Sequence, residues 1–247
     1  MIFKNKKILV TGGTGSLGQR LVERILSNEL GQPKKVIIFS RDESKQHDMR
    51  VKWLNTSKKS DSIIFNNFKR VLEFRIGDIR RYDDILASAK DVDIIVNAAA
   101  LKHVPVCEYF PEQAILTNCI GAINLTKCIS DHNLNVETVV GISTDKASSP
   151  INVMGMTKAI QERILVASNI FLKKTKILNV RYGNVIASRG SVIPLFVHQI
   201  QNNKDITVTD NKMTRFLLDL DQAVDTIIFA IKYGKSGDII VPTAPSC

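Results

Sequence analysis

The chain has 247 residues, of which 44% are hydrophobic, and a formal net charge of +10, and this length can bury one large core. Its Lys and Arg residues are spread along the sequence instead of forming a tract, which argues against a nucleic-acid partner and fits a phosphorylated ligand. The four cysteines lack the spacing of a metal site, no apolar run approaches the roughly 18 residues of a membrane span, and no signal-peptide pattern precedes the first strand, so we expect a cytoplasmic protein without metal.

Short β-branched runs alternate with longer amphipathic stretches along most of the chain. Because strands that are apolar on both faces and separated by helices are typical of a parallel sheet, we predict an α/β fold, a doubly wound parallel sheet over residues 1–190. After Gly190 two helices flank a short strand, so residues 191–247 are predicted to begin a smaller substrate lobe interleaved with the main domain. The predicted strands are KILVTG, KVIIFS, LEFRIG, VDIIVNAAA, TVVGIST and KILNVRYG, and helices are predicted near Leu17–Leu26, His47–Leu54, Ala114–Ile129 and Gly155–Ala167.

A glycine-rich turn follows the first predicted strand, with GxxGxxG spacing at Gly12, Gly15 and Gly18. Such glycines permit a tight turn, let backbone N–H groups approach a diphosphate and allow the next helix to pack closely. An ordinary glycine-rich turn is the alternative, but the strand before it and the helix after it favour a dinucleotide site. The expected cofactor contacts from this turn are Gly12, Thr14, Gly15, Ser16, Leu17 and Gly18.

The second predicted strand ends in Phe39-Ser40-Arg41-Asp42. An NAD site normally has an acidic residue at this strand end for the ribose 2′-hydroxyl, whereas Ser40 and Arg41 suit a 2′-phosphate. The pattern favours NADP, and the neighbouring Asp42 keeps NAD as the less favoured alternative. Cofactor contacts are also expected after the third and fourth strands, at Asp78, Ile79, Ala98, Ala99 and Ala100, although a surface Asp and a packed Ala run would have the same pattern.

The segment from Ser143 to Lys158 follows the fifth predicted strand, at the carboxyl edge where open α/β sheets bind ligands. Thr144, Asp145 and Lys146 offer there a hydrogen-bond donor, a candidate general acid and a candidate general base. A polar turn that caps the following helix explains the same residues without chemistry.

Several of these segments together resemble the polysaccharide-biosynthesis group of extended short-chain dehydrogenases/reductases, specifically the C5-inverting UDP-N-acetylglucosamine 4,6-dehydratases. The resemblance covers nearly the whole chain and implies a Rossmann-like fold, NADP, a UDP-amino sugar substrate, a homo-oligomer and a place in capsule or O-antigen synthesis. It also implies further C-terminal sequence, so the substrate lobe is expected to be incomplete at Cys247. The segments are TGGTGSLG, SRDE, NAAALKHVP, STDKASSPINVMGMTKA, RYGNVIASRGSVIPLF and MTRF.

The resemblance implies a reaction without net redox change, in which hydride leaves C4 for NADP, water leaves across C5–C6, and the hydride returns to C6. On this reading Asp145 is the acid that expels the C6 hydroxyl and Lys146 is the base at C5. Thr144 hydrogen-bonds the C4 oxygen, and Lys158 holds the nicotinamide ribose.

The chain departs from most short-chain dehydrogenases at Met154, where they carry a Tyr four residues before the active-site Lys. A thioether exchanges no proton at neutral pH, so removal of the C4 hydroxyl proton falls to Lys158, Lys146, Asp145 or a water. Some dehydratases that make the L-sugar precursor of N-acetyl-L-fucosamine are similar in carrying Met. A UDP-sugar 4-epimerase and a catalytically silent NADP-binding module are the alternatives.

Further contacts are expected by position within the resemblance. Substrate contacts are Lys102 and His103 after the fourth strand, Asn184 after Arg181-Tyr182-Gly183, and the arginines Arg189 and Arg215, whose guanidinium groups match phosphate oxygens. Lys102, Asn118 and Lys158 complete the expected cofactor contacts.

Overall fold

A parallel sheet covered by helices on both faces forms the body of the computed structural model, which describes residues 1–56, 68–186, 192–208, 210, 212 and 214–245. The strands are β1 (Lys7–Thr11), β2 (Lys35–Ser40), β3 (Leu72–Ile76), β4 (Ile94–Asn97), β5 (Thr138–Ile142), β6 (Lys176–Val180), β7 (Asn184–Val185), β8 (Leu217–Leu218) and β9 (Ile239–Ile240). The helices are α1 (Ser16–Leu26), α2 (Glu43–Thr56), α3 (Tyr82–Ala89), α4 (Val104–Tyr109), α5 (Pro111–Ala114), α6 (Gly121–Asp131), α7 (Val153–Ser168), α8 (Val192–Gln201) and α9 (Leu220–Tyr233).

The main sheet has seven parallel strands in the order β3-β2-β1-β4-β5-β6-β9. The strand order reverses beside β1, which pairs with β2 on one side and β4 on the other. In open α/β sheets, ligands bind at such a switch point, outside the carboxyl ends of the strands. The predicted doubly wound fold is confirmed.

Alternating residues of the strands pack into two cores, one on each face of the sheet. Ile8 and Val10 of β1 lie in the core beneath α1 and α9, while Leu9 between them lies in the core beneath α3, α6 and α7. This two-residue period is the geometry of a strand with both faces buried, which explains the continuous apolar runs in the sequence.

The helices differ in extent from the sequence predictions. The helix predicted near Ala114–Ile129 is interrupted, because α5 and α6 are joined by the π-helical segment Ile115–Ile120. Helix α2 is longer at both ends than the predicted His47–Leu54. The polar stretch that follows α2 in the sequence falls in 57–67, outside the described residues.

The C-terminal part of the chain contributes to two structures. Helix α9 packs its buried face on the main core, and β9 pairs with β6 at the edge of the main sheet. Strands β7 and β8 pair in parallel as a separate two-stranded sheet, and the nearby helix α8 has no buried residue. Within 191–247, therefore, the segments 217–218 and 192–201 lie apart from the main sheet while 220–240 is built into it. Among the described helices, none has the length and apolar character needed to cross a membrane.

Candidate active site

The glycine-rich turn brings the backbone between β1 and α1 against the end of β4. Gly12 has φ +65°, and a Cβ there would lie 2.8 Å from the carbonyl oxygen of Ala98. Gly15 precedes the first turn of α1, and a Cβ on Gly18 would lie 2.6 Å from the Cα of Gly13. No larger side chain fits at Gly12 or Gly18, so the turn lies against the end of β4 and leads into the positive end of α1, where an anion is favoured.

A cavity of about 510 Å³ extends from this turn to the end of β2. It contains seven of the predicted cofactor residues, together with residues that the sequence did not single out. The predicted ones are Gly12, Thr14, Ser40, Arg41, Ile79 and the pair Ala99 and Ala100, and the others are Phe39, Asp42, Lys45, Gly77 and Thr117.

Charged side chains surround the β2 end of the cavity. Arg41 is half exposed, with Nη1 3.6 Å from Oδ2 of Asp78, and Lys45 forms an ion pair with Asp42. Asp78 also accepts from Arg80, at 2.6 Å from Nη2. Partial burial raises the pKa of Asp78, but the hydrogen bonds from Arg80 and the charge of Arg41 outweigh it and lower that pKa below its usual value.

Thr117, in the π-helical segment, is a cavity residue that the sequence reasoning missed. Its side chain is buried, and Oγ1 has no hydrogen-bond partner among the described residues. A buried polar atom without a partner is costly unless a ligand or water satisfies it. The adjacent Asn118 was predicted from the sequence, but a local π-helical turn has no clear sequence pattern, so the direction of Thr117 could not be foreseen.

Asn118 joins the loop after β4 to helix α7. Its Oδ1 accepts from the backbone N–H of Leu101 at 2.9 Å, and its Nδ2 donates to the carbonyl of Leu101 and to Oγ1 of Thr157, both at 3.0 Å. Because both Nδ2 hydrogens are used within the chain, this side chain holds the loop after β4 in place against α7.

The residues after β5 form a compact hydrogen-bonded group. Oδ1 of Asp145 accepts from Oγ1 of Thr144 at 2.8 Å and lies 3.1 Å from Nζ of Lys146. Lys146 Nζ also donates to Oδ1 of Asn184 at 3.0 Å, which connects β5 to the two-stranded sheet. Four predicted site residues therefore meet at the carboxyl edge of the sheet: Thr144, Asp145, Lys146 and Asn184.

Helix α7 holds its N-terminus directly against this group. A Cβ on Gly155 would lie 2.4 Å from the carbonyl oxygen of Lys146, so the contact requires glycine. Asn152 caps the helix by accepting from the N–H of Gly155 at 2.8 Å. The cap of α7 is therefore Asn152, and the side chains of Asp145 and Lys146 lie in a separate 3-10 turn that precedes it.

Lys158 lies one turn further along α7 and is 5% exposed. Its Nζ donates to Oε1 of Gln161 at 2.7 Å. Burial lowers the pKa of Lys158 to about 8, although the carboxylate of Glu162 acts in the opposite direction. Its amine is therefore partly neutral near physiological pH.

Met154 occupies the position of the absent tyrosine and packs in a small apolar cluster. The cluster also contains Cys107 and Ala114, with Leu101 and Val104 against its edge. The side chain is 5% exposed and stabilises the segments around the loop after β4. It offers no group that exchanges protons.

Three of the remaining predicted substrate residues are exposed at the surface. Lys102 and His103 are exposed in the loop before α4, and Arg215 is exposed, with Nη1 donating to the carbonyl of Thr214 at 2.7 Å. Arg189 lies outside the described residues.

A doubly wound sheet, a glycine-rich first turn and a polar crevice at the carboxyl edge together define an extended short-chain dehydrogenase/reductase. The family model described as "Polysaccharide biosynthesis protein" matches residues 8–247. The chain therefore belongs to the polysaccharide biosynthesis protein family, within the nucleotide-sugar dehydratase and epimerase group of short-chain dehydrogenases.

Relatives in sequence and structure agree with this family. Proteins named UDP-glucose 4-epimerase from Rickettsia bellii (strain OSU 85-389) and Rickettsia prowazekii (strain Madrid E) are 46% and 44% identical, and each alignment covers 99% of this chain and 68% of the relative. The structure of Pen from Bacillus thuringiensis is 36% identical with a TM-score of 0.89, covering 100% of this chain and 72% of that one. DesIV, a dTDP-glucose 4,6-dehydratase from Streptomyces venezuelae with NAD and TYD bound, shares the fold at 22% identity and a TM-score of 0.80, covering 98% of this chain and 77% of that one.

Proposed function

We propose that the chain is a C5-inverting UDP-N-acetylglucosamine 4,6-dehydratase that uses NADP. The observation that carries the proposal is the contact of 3.1 Å between Asp145 and Lys146, at the same carboxyl edge of the sheet as the glycine-rich turn. A reaction that only oxidises and reduces C4 needs no second acid and base, whereas elimination of water needs both. As part of the same proposal, the protein acts in the cytoplasm as a homo-oligomer.

The residues of the cavity fit a dinucleotide. The turn after Gly12 leads into the N-terminus of α1, which favours a diphosphate, the unpartnered Oγ1 of Thr117 supplies a donor, and Ser40 with Arg41 supplies hydroxyl and guanidinium donors for a 2′-phosphate. When bound, the oxidised nicotinamide accepts hydride from C4 of the sugar, and its reduced form returns hydride to C6. The structure titles of several relatives print NAD, and we propose NADP for this chain because Arg41 stands where an NAD site carries an acidic residue.

Asp145 and Lys146 carry out the two proton transfers of the elimination. A shift of one proton from the Lys146 ammonium to Asp145, along their contact, produces a neutral acid and a neutral amine. Lys146 then takes the proton from C5 while Asp145 gives its proton to the C6 hydroxyl, which leaves as water. As hydride returns to C6, a solvent water on the opposite face gives a proton to C5 and so inverts that centre, and Thr144 hydrogen-bonds the C4 oxygen.

The second candidate is a UDP-sugar 4-epimerase, which the printed names of the Rickettsia relatives favour. It would share the cofactor site and the oxidation at C4, and would return hydride to the opposite face of C4. The two activities differ in their products, because only dehydration creates a methyl group at C6.

The test is incubation with NADP and UDP-N-acetylglucosamine in D₂O, followed by proton NMR, with UDP-glucose in a parallel sample. The proposal predicts a C6 methyl signal and deuterium at C5 from UDP-N-acetylglucosamine. A galacto isomer without a methyl signal would establish the epimerase instead. Unchanged substrate would contradict both and favour a binding module.

The assignment of acid and base is tested with Asp145→Asn and Lys146→Ala. Each is expected to lower the rate of methyl formation by about 100-fold or more, since general acid–base groups contribute factors of this order. The exposed residues Asp83 and Lys90 provide matched controls, as Asp83→Asn and Lys90→Ala remove the same charges at positions that do not line the cavity. Unchanged rates in the site variants would show that the assignment is wrong.

A further inference from the structure

The side chain of Gln161 is fully buried in α7 and bridges Lys158 to the end of β5. Its Oε1 accepts from Lys158 Nζ at 2.7 Å, and its Nε2 donates to the carbonyl oxygen of Ile142 at 3.1 Å. Because the carbonyl of Ile142 can only accept, the Gln161 amide has one satisfactory orientation. Its oxygen must face Lys158.

This orientation determines how a neutral Lys158 amine is held. One N–H of the amine is committed to Gln161, so its lone pair and remaining hydrogens point away from Gln161. Ile142 is the last residue of β5 and lies two residues before Thr144. The hydrogen bonds of Gln161 therefore fix the position of Lys158 relative to the strand that leads into Asp145 and Lys146.

The charged and titratable groups around Lys158 come from two elements. Glu162 on α7 and Cys119 in the π-helical segment both act on Lys158. The charge of Glu162 is itself balanced by a bidentate pair with Arg181, at 2.7 Å and 2.6 Å, and its carboxylate also accepts from the hydroxyl of Ser143. Gln161 is thus a neutral acceptor next to the amine, in a place where a carboxylate would fix the ammonium form.

We infer that Gln161 is a positioning residue that holds Lys158 as the acceptor of the C4 hydroxyl proton, the role left open by Met154. The inference rests on the proposed function. In this step the C4–H bond gives its electron pair to the oxidised nicotinamide as hydride, the O–H proton passes to the neutral amine of Lys158, and C4 becomes a ketone. Met154 packs in its apolar cluster and has no part in the proton transfer.

The primary test is an NMR titration of protein labelled with ¹³C at the lysine Cε, with the Lys158 signal assigned from Lys158→Arg. The pKa of Lys158 in the wild-type protein is expected to be about 8. Gln161→Glu should raise the pKa by about one unit or more, and Gln161→Met should lower it, because the first adds a charge and the second removes the polar acceptor. Gln161→Glu keeps the side-chain size, so it remains informative if Gln161→Met does not fold.

The second readout is the pH dependence of methyl formation. The acid limb of kcat/KM should move up for Gln161→Glu and down for Gln161→Met, with kcat reduced by about tenfold or more and NADP affinity within about threefold of wild type. Ser168→Ala is the control, since Ser168 is equally buried on α7 and its hydroxyl bonds only the carbonyl of Leu165.

The outcomes separate this inference from the proposed function. If both Gln161 variants leave the Lys158 pKa and the acid limb where they are in wild type, the inference is overturned. If the pKa moves as expected but wild type forms no methyl group, the dehydratase proposal fails and the contact between Gln161 and Lys158 stands.

Discussion

Replacing the hydroxyl group of Thr117 tests how the chain recognises its cofactor. Its Oγ1 has no partner in the described chain, so Thr117→Val removes no protein hydrogen bond and should leave the free energy of unfolding unchanged or slightly higher. NADP affinity should fall by about fivefold, the worth of one net hydrogen bond of about 1 kcal/mol. Fluorescence titration with NADPH measures this loss.

The controls for this prediction are Thr117→Ser and Thr126→Val. The first keeps the hydroxyl and should keep the affinity, and the second removes a buried hydroxyl that bonds only carbonyls of its own helix. Equal NADPH affinity in Thr117→Val and wild type would show that this hydroxyl does not contact the cofactor.

Asp78, which lies beside Arg41 and Arg80, should contribute to the stability of the protein in acid. Its pKa is lower in the folded protein than in the unfolded chain, so its stabilising contribution is complete above the unfolded value, about 3.9, and is lost as the pH falls below it. The free energy of unfolding should therefore decline less steeply below pH ~4 in Asp78→Asn than in wild type. Urea unfolding at several pH values measures the slope, with exposed Asp83→Asn as the control; parallel curves for wild type and Asp78→Asn would contradict the assignment.

The residues that the sequence revealed are those with a recognisable pattern. Gly12 and the Asp145-Lys146 pair follow strand ends at family spacing, and the structure places them at one edge of the sheet. Thr117 and Gln161 could not be identified in this way. Their importance comes from a π-helical turn and from a contact across to β5, neither of which appears in a local sequence pattern.

Among the elements of the site, α7 approaches the backbone of the turn 145–147 closely at Gly155. Gly155→Ala places a Cβ 2.4 Å from the carbonyl of Lys146, and backbone cannot yield as a flexible side chain can. We expect the turn to shift, with a loss of stability of about 1–3 kcal/mol and a fall in turnover of about tenfold or more, although alanine favours a helix by about 1 kcal/mol.

Turnover and thermal unfolding together check this prediction. Met156→Ala, on an exposed position of the same helix, is the control for helix composition. Wild-type turnover in Gly155→Ala would mean that the precise fit of α7 to the turn has no role in the chemistry.

The sequence predicted the order of strands and helices better than their limits. Buried strands such as β1 and β5 are continuous apolar runs, and their parallel arrangement follows from the helices between them. The break between α5 and α6 was missed, since the apolar period continues through the π-helical segment. The pairing of β9 with β6 depends on contacts across the chain and likewise has no local pattern.

At the scale of the whole molecule, a buried ionic group joins three elements behind the site. Glu162 of α7 is 2% exposed and is held by Arg181, after β6, and by Ser143, after β5. Arg181→Met should lower the free energy of unfolding by about 3–5 kcal/mol, because it leaves a buried carboxylate without its partner. The double variant with Glu162→Gln should recover part of that loss.

Urea unfolding of the single and double variants measures both effects. Arg24→Met is the matched control, since Arg24 pairs with Glu29, Asp221 and Asp225 at the surface and should cost at most about 1 kcal/mol. A loss in Arg181→Met no greater than that of the control would contradict a structural role for the buried pair.

Turnover of UDP-N-acetylglucosamine deuterated at C4, in the presence of NADP, is the sharpest test of the proposed dehydratase activity. The account predicts that the deuterium moves from C4 to the new C6 methyl group, because the same hydride leaves and returns within one crevice. Formation of the galacto isomer with deuterium still at C4, and no methyl signal, would contradict it.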